Sequence, residues 1–242
     1  MNSGIKNIIF DYGGTLDTDG IHWSEKFWEV YQHFQIPVEK EDFRNAFVFS
    51  ERNIADVIKP NFNLSKTYET QINYQLKYFE SKQLLSEIYY VIVENMSRYC
   101  MHTVLDNIEI SKLTLALLDS EYKLGLVSNY YGNVETVLKE IDLRKYFKGV
   151  IDSALVGVRK PNKKIFQLAL YQLDAKADET LVVGDSYEND IIPAKQLGCT
   201  TVWLNGKSWN EPSDTSSADI IIKSIKELPN ILKNIINLNK IG

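Results

Sequence analysis

Cysteine and histidine are scarce in this 242-residue sequence, with two and three of each. Cys100 and Cys199 stand far apart and form no C-x-x-C pair. That excludes a disulfide framework and a cysteine-built metal site, and it suggests free core thiols in a reducing compartment. No apolar run approaches the roughly 18 residues that a membrane span needs. No dense Lys/Arg cluster occurs either, and 27 Lys+Arg against 32 Asp+Glu leave a net charge of -5. A nucleic-acid surface is therefore not expected, nor is a membrane partner. The first apolar run opens near the fifth residue, which leaves no room for a signal peptide, so the expected location is cytoplasmic. Internal repeats and low-complexity segments are absent. What remains is ordinary globular composition, 44% hydrophobic and 24% charged, long enough for one large domain or a domain with a sizeable insertion.

The chain is organised around residues 5–17, IKNIIFDYGGTLD. Ile5, Ile8, Ile9 and Phe10 suit a buried strand, and the run stops abruptly at Asp11, followed by Gly13 and Gly14. A carboxylate is thereby placed at the C-terminal tip of a strand, where ligands bind in open α/β sheets. The paired glycines free the backbone to turn sharply and approach a bound group closely.

After a polar passage at 18–22 the periodicity becomes helical. Phe27, Val30, Tyr31 and Phe34 share one helical face; Phe43, Phe47, Ile54, Val57 and Ile58 a second; Tyr68, Ile72, Leu76 and Phe79 a third; Leu84, Ile88, Val91 and Ile92 a fourth. Breaks at Ile36-Pro37 and Lys59-Pro60-Asn61 separate members of a helical bundle. From about Asn107 helices alternate with short apolar strands: helices near 108–120, 133–141, 163–173, 190–197 and 225–237, strands near 123–127, 149–151, 180–183, 200–203 and 219–222. Such alternation predicts a parallel sheet covered by helices on both faces, an α/β fold that also takes in the first strand. The expected division is a core of residues 1–17 and 107–242 and an inserted helical domain of residues 18–106, with crossings near 18–20 and 103–107.

Three later stretches deliver polar groups to strand tips. Leu124-Gly125-Leu126-Val127 runs into Ser128 and Asn129, a hydroxyl and an amide. Gly157-Val158-Arg159-Lys160-Pro161-Asn162 holds Lys160 in a turn ahead of a helix that Pro161 is expected to open. Leu181-Val182-Val183-Gly184-Asp185 ends a third apolar strand in an acid, and Asp190 follows five residues later. Pro193 forces the next helix to begin close to Asn189. Oxygen-only acids on adjacent loops, with no His or Cys cluster, favour a hard cation such as Mg²⁺ over zinc. Lys160 and such a cation can hold a phosphoryl group while Asp11 attacks phosphorus in line and forms an aspartyl-phosphate that water hydrolyses.

These four stretches in this order, around a helical insert after the first, resemble the haloacid dehalogenase-like hydrolase superfamily, in the branch with a helical cap after the first motif. The resemblance covers the core, which it implies is Rossmann-like; the cap matches only in position and helical character. It implies a Mg²⁺-dependent phosphatase acting on a small-molecule phosphate ester. By that likeness Asp11 is nucleophile and metal ligand, Ser128 and Asn129 hold phosphoryl oxygens and substrate, Lys160 stabilises phosphoryl charge, Asp185 ligates Mg²⁺ and Asp190 supports it.

One position departs from the family pattern. Phosphatases of the family usually place a second Asp two residues after the nucleophile, as backbone ligand and general acid/base; here that residue is Gly13. The carbonyl remains for the metal and the acid is gone, so slow turnover of poor leaving groups is expected. Asp17, Asp19 and His22 lie just downstream, with Asp17 read as a structural turn acid. The departure leaves alternatives open: a non-catalytic phosphate- or phosphoprotein-binding relative, a 2-haloacid dehalogenase, or a phosphonate-cleaving enzyme. Trp23, Trp28, Tyr31, Trp203 and Trp209 are each candidates for bundle core or for a pocket wall.

Overall fold

The computed structural model describes residues 4–209 and 212–239. Six parallel strands form one sheet in the order β3-β2-β1-β4-β5-β6. They are β1 (Asn7–Phe10), β2 (Lys123–Ser128), β3 (Phe147–Asp152), β4 (Thr180–Gly184), β5 (Thr200–Leu204) and β6 (Ile220–Ile222). β1 lies in the middle, with Phe10 opposite Leu126 of β2 and Val183 of β4. That register brings the tips of β1, β2 and β4 to one edge of the sheet at one level.

Burial alternates along the strands because successive side chains leave opposite faces. Ile9, Val127, Ile151 and Val182 pack with Ile165, Phe166, Ala169 and Leu173 of helix α7 (Lys164–Leu173) and with Ala194 of α8 (Ile192–Gln196). Ile8, Phe10, Leu124, Leu126, Leu181 and Val183 face the other way. They join a cluster that runs through α4 (Val93–Leu118), α5 (Val134–Glu140) and α9 (Leu228–Asn239) and on into α1 (Trp23–His33), α2 (Lys40–Asn53) and α3 (Leu64–Ser81). α6 is a single turn, Ser153–Val156. The sheet's helical cover and the inserted helices therefore share continuous apolar packing. Polar contacts add to it: Asn133 Nδ2 donates to Phe62 O (2.9 Å) and Thr67 Oγ1 (2.8 Å), Thr136 Oγ1 to Pro60 O (2.6 Å) and Leu64 N to Glu140 Oε2 (2.7 Å).

The expected strands all form, with boundaries shifted by one or two residues. Four helical expectations change. No break occurs at 103–107: α4 runs unbroken from the insert to the sheet, burying Met96, Cys100, Val104, Ile108 and Leu115 along one stripe. The stripe expected on Leu84, Ile88, Val91 and Ile92 does not form, because residues Glu87–Ile92 make a 3₁₀ turn with three residues per turn. Ile88 and Val91, eclipsed at that spacing, face solvent at 68% and 76% exposure. Pro161 does not open α7; it lies in a turn closed by Asn162 N–H to Arg159 O (3.0 Å), and the helix starts at Lys164. The turn before α8 is a π-type segment, Tyr187–Ile191, and Pro193 sits in the first turn of α8, where its missing N–H costs little.

Candidate active site

Asp11 follows β1 and is buried, its N–H donating to Val183 O at 2.9 Å. The chain then turns tightly, with Leu16 N–H bonded to Tyr12 O (2.8 Å) and Gly20 N–H to Gly14 O (2.7 Å). Gly14 has φ +96°, a conformation that favours glycine, and a Cβ there would lie 2.4 Å from Asp185 Oδ2. Its lack of a side chain is what lets the Asp185 carboxylate approach the turn. The same device recurs on β4, where a Cβ on Gly184 would lie 2.4 Å from Asp190 Oδ2.

The four sequence stretches converge. Lys160 Nζ donates to Asp11 Oδ1 (2.5 Å), Asp190 Oδ1 (2.6 Å) and Val127 O (3.2 Å), so each of its three protons has an acceptor. Burial disfavours its charge, but the carboxylates of Asp11 and Asp190 outweigh that and lift the ammonium above the ordinary lysine range. Asp190 Oδ2 accepts Ser186 N–H at 3.1 Å. One oxygen each of Asp11, Asp185 and Asp190 lies within 4.8 Å of the others. Burial raises the Asp190 carboxyl to about 6 against the pull of Lys160. Burial and then the charge of Asp11 push Asp185 well above the carboxylate range.

Three buried carboxylates against one ammonium leave a surplus of negative charge. An all-oxygen donor set with that surplus fits a hard divalent cation, and Mg²⁺ is such an ion. The turn carrying Gly13 lines the same space.

Asn129 and Ser128 also line the cavity above this cluster, a space of ≈ 300 Å³. The Asn129 amide is engaged twice with the backbone of Lys160: its Oδ1 accepts Lys160 N–H (2.9 Å) and its Nδ2 donates to Lys160 O (3.0 Å). It fixes the lysine turn against the tip of β2. Ser128 is buried at that tip, opposite Asp152 of β3. Asp152 in turn accepts the N–H groups of Gly132, Val134 and Ala154.

Thr15 is a site residue to which sequence reasoning assigned no role. Fully buried, its Oγ1 accepts Asp185 N–H (3.0 Å) and lies 3.3 Å from both Asp11 Oδ2 and Asp185 Oδ1. A hydroxyl has one proton, so it serves one of the two carboxylates at a time. The only sequence signal is its place in the turn after the glycines.

Position 13, where the resemblance leads one to expect an acid, is covered by an indole. A Cβ on Gly13 would lie 3.3 Å from Trp23 Cδ1, and Trp23 Nε1–H donates to Asp17 Oδ2 at 2.9 Å. Asp17 Oδ1 accepts Gly14 N–H at 2.8 Å. Burial pushes the Asp17 carboxyl up to about 7, although those two donors favour its charged form. Asp17 therefore holds the turn, as a structural acid does, and Asp19 accepts Ser224 Oγ (2.6 Å) and Ile225 N–H (2.7 Å) at the start of the last helical segment. His22 lines the cavity and caps α1, its Nδ1 taking Ser24 N–H (3.2 Å), so its neutral ring carries the proton on Nε2. Burial holds that ring below the usual histidine range.

The far wall comes from the insert: Trp23 and Phe27 of α1, Phe47 and Glu51 of α2, Thr67, Tyr68 and Gln71 of α3. Of the tryptophans and tyrosine considered, Trp23 is a pocket wall and Tyr31 is core. Trp28 packs against the core without complete burial. Trp203 is buried beside Tyr187 and donates to Asp185 O at 2.9 Å, while Trp209 packs on His22 and Phe47.

The chain is similar to known proteins along most of its length. The family model described as haloacid dehalogenase-like hydrolase matches residues 8–204. Glyceraldehyde 3-phosphate phosphatase of Methanocaldococcus jannaschii is 27% identical, covering 96% of this chain and 98% of its own. Phosphoglycolate phosphatase of Vibrio parahaemolyticus is 28% identical, covering 93% and 94%. Among solved structures, the HAD-hydrolase YfnB of Bacillus subtilis, bound to magnesium, superposes with a TM-score of 0.61 at 19% identity over 95% of this chain and 99% of that one.

Proposed function

The chain belongs to the haloacid dehalogenase-like hydrolase family, and from that premise we propose that it is a phosphatase of small phosphorylated metabolites with Asp11 as nucleophile. The observation that carries the proposal is Asp11 held at the sheet edge between the Lys160 ammonium, at 2.5 Å, and the acids Asp185 and Asp190. Phosphatase names among the full-length relatives support the substrate class.

Asp11, Asp185, Asp190 and the carbonyl of Gly13 are the residues proposed to hold Mg²⁺, which when bound supplies positive charge to the phosphoryl oxygens. An Asp11 carboxylate oxygen forms a bond to phosphorus as the ester oxygen leaves with the bonding pair and takes up a proton from solvent water. Water then attacks phosphorus of the aspartyl-phosphate, which releases inorganic phosphate and restores the carboxylate. Lys160 neutralises charge that builds on the phosphoryl group and is itself fixed by Asn129 and Val127. Ser128, at the tip of β2, is proposed to bind a phosphoryl oxygen. Trp23, Phe27 and Tyr68 close the cavity from the insert and limit water around the reacting groups. The proposed division assigns residues 1–17 and 107–242 to the catalytic core and 18–106 to the cap that covers it, with α4 as a continuous shaft between them.

Turnover of para-nitrophenyl phosphate with Mg²⁺ tests this. Asp11→Asn is expected to abolish it, and wild-type turnover in that variant refutes the nucleophile assignment. A wild-type protein that binds phosphate esters without hydrolysing any of them is a sensor instead. Chloride release from a 2-chloroacid identifies a dehalogenase.

A further inference from the structure

Deepening the phosphatase reading, on which it rests, we infer that Glu51 builds a leaving-group subsite that selects phosphate esters carrying a hydrogen-bond donor, a hydroxyl or an ammonium, and rejects those carrying a second anion. Glu51 lies on α2, in the wall contributed by the insert, and lines the same cavity as Asp11 and Lys160. Its Oε1 accepts Tyr131 O–H at 2.6 Å and Gln71 Nε2–H at 2.6 Å. Gln71 Nε2 also donates to the Tyr131 oxygen at 2.6 Å, and Ser50 Oγ lies 3.0 Å from Gln71 Oε1. The carboxylate is thus pinned across the seam, by a glutamine of α3 on one side and a tyrosine that follows β2 on the other.

Oε1 has its two donors. Among the described residues, Oε2 has no hydrogen-bond or ion-pair partner. In a hydrogen bond a carboxylate can only accept, so an organic ligand that pairs with Oε2 must bring an N–H or O–H. The neighbouring walls are the rings of Phe27, Phe47 and Tyr68, which favour the carbon skeleton of a ligand and leave Glu51 as its polar anchor. A second carboxylate on the substrate would meet like charge there. Arg159 also lines the cavity, but it is exposed, and water screens a cation at that position far more than the pinned acid.

The test compares kcat/KM with Mg²⁺ for glycerol 3-phosphate, ethanolamine phosphate, propyl phosphate and phosphoglycolate, in the wild type and in Glu51→Gln. A hydrogen bond to a charged group corresponds to a preference of about tenfold to a hundredfold for the first two over propyl phosphate; phosphoglycolate is expected below all three. In Glu51→Gln the side-chain oxygen must still accept from Tyr131 and Gln71, so the amide NH₂ takes the place of Oε2 and the free position changes from acceptor to donor. The order is therefore expected to invert in favour of phosphoglycolate, an outcome that a merely structural role for Glu51 does not produce. Glycerol 3-phosphate against ethanolamine phosphate tells whether hydroxyl or ammonium fits better. Wild-type preference for phosphoglycolate, or a Glu51→Gln order unchanged from wild type, overturns the subsite. If no ester is turned over, the hydrolase reading fails. Calorimetric affinities of the same four esters for the same two proteins then decide the subsite by the same ratios.

Discussion

Restoring an acid at position 13 measures what its loss costs. Gly13 is not in the left-handed region, so its backbone accepts aspartate, but the new Cβ would stand 3.3 Å from Trp23 Cδ1 and 3.4 Å from Nε1. The indole must move by a few tenths of an ångström, against its bond to Asp17 at 2.9 Å and its packing on Tyr68 and Phe27. Crowding of that kind costs about 1–3 kcal/mol of stability. A general acid is worth about 10²–10⁴-fold in rate, or about 3–5 kcal/mol of barrier. The crowding lowers the stability of the fold while the acid lowers the barrier in the folded fraction, so Gly13→Asp is expected to unfold at lower urea yet hydrolyse alkyl phosphates at least about a hundredfold faster. Para-nitrophenyl phosphate, whose leaving group departs without a proton, is expected to change little. Gly13→Ala carries the crowding without the acid and is expected to be slower on both. An alkyl rate in Gly13→Asp no higher than wild type refutes the reasoning. It would mean that the leaving group already receives a proton, with His22 in the cavity wall as the side chain to substitute next.

Gly14→Ala forces a side chain into a φ of +96° and onto Asp185 Oδ2, so that carboxylate must leave its place. Loss of calorimetric Mg²⁺ binding is expected, with activity down about a hundredfold, as for a misplacement of about 1 Å; wild-type affinity refutes it. Asp17 titrates near 7 in the fold against an ordinary value of 3.8. The folded chain then holds a proton that the unfolded chain gives up, so the contribution of Asp17 to stability is complete below about pH 4 and is lost as pH rises to about 7. The unfolding free energy of wild type minus that of Asp17→Asn is expected to fall by about 4 kcal/mol over that window in urea titrations. A flat difference sinks the burial account of Asp17.

How much was legible follows from which interactions are local. The apolar runs ending at Asp11, Ser128 and Asp185 could be read because a strand buried on both faces must be continuously apolar, and its polar tip is then conspicuous. Lys160 could be read from its turn. The 3₁₀ segment 87–92 misled because its apolar residues have acceptable α-helical spacing, whereas three residues per turn leaves Ile88 and Val91 exposed while Ile92 packs on the core. The unbroken α4 was missed for a related reason: a helix whose buried stripe stays within one continuous apolar cluster from the insert to the sheet carries no signal at the crossing.

By itself the sequence determined the alternation of strands and helices, the acids and lysine at the strand tips and the glycine in place of an acid, since each depends on residues close in the chain. The tertiary structure alone decided that Thr15 stands between Asp11 and Asp185, that Trp23 covers Gly13 and that Gln71 and Tyr131 fix Glu51. Apart from Thr15 with Asp11, which share one turn, those pairs join residues from separate elements, and no local propensity encodes which side chains meet once the sheet edge and the helical insert close on each other.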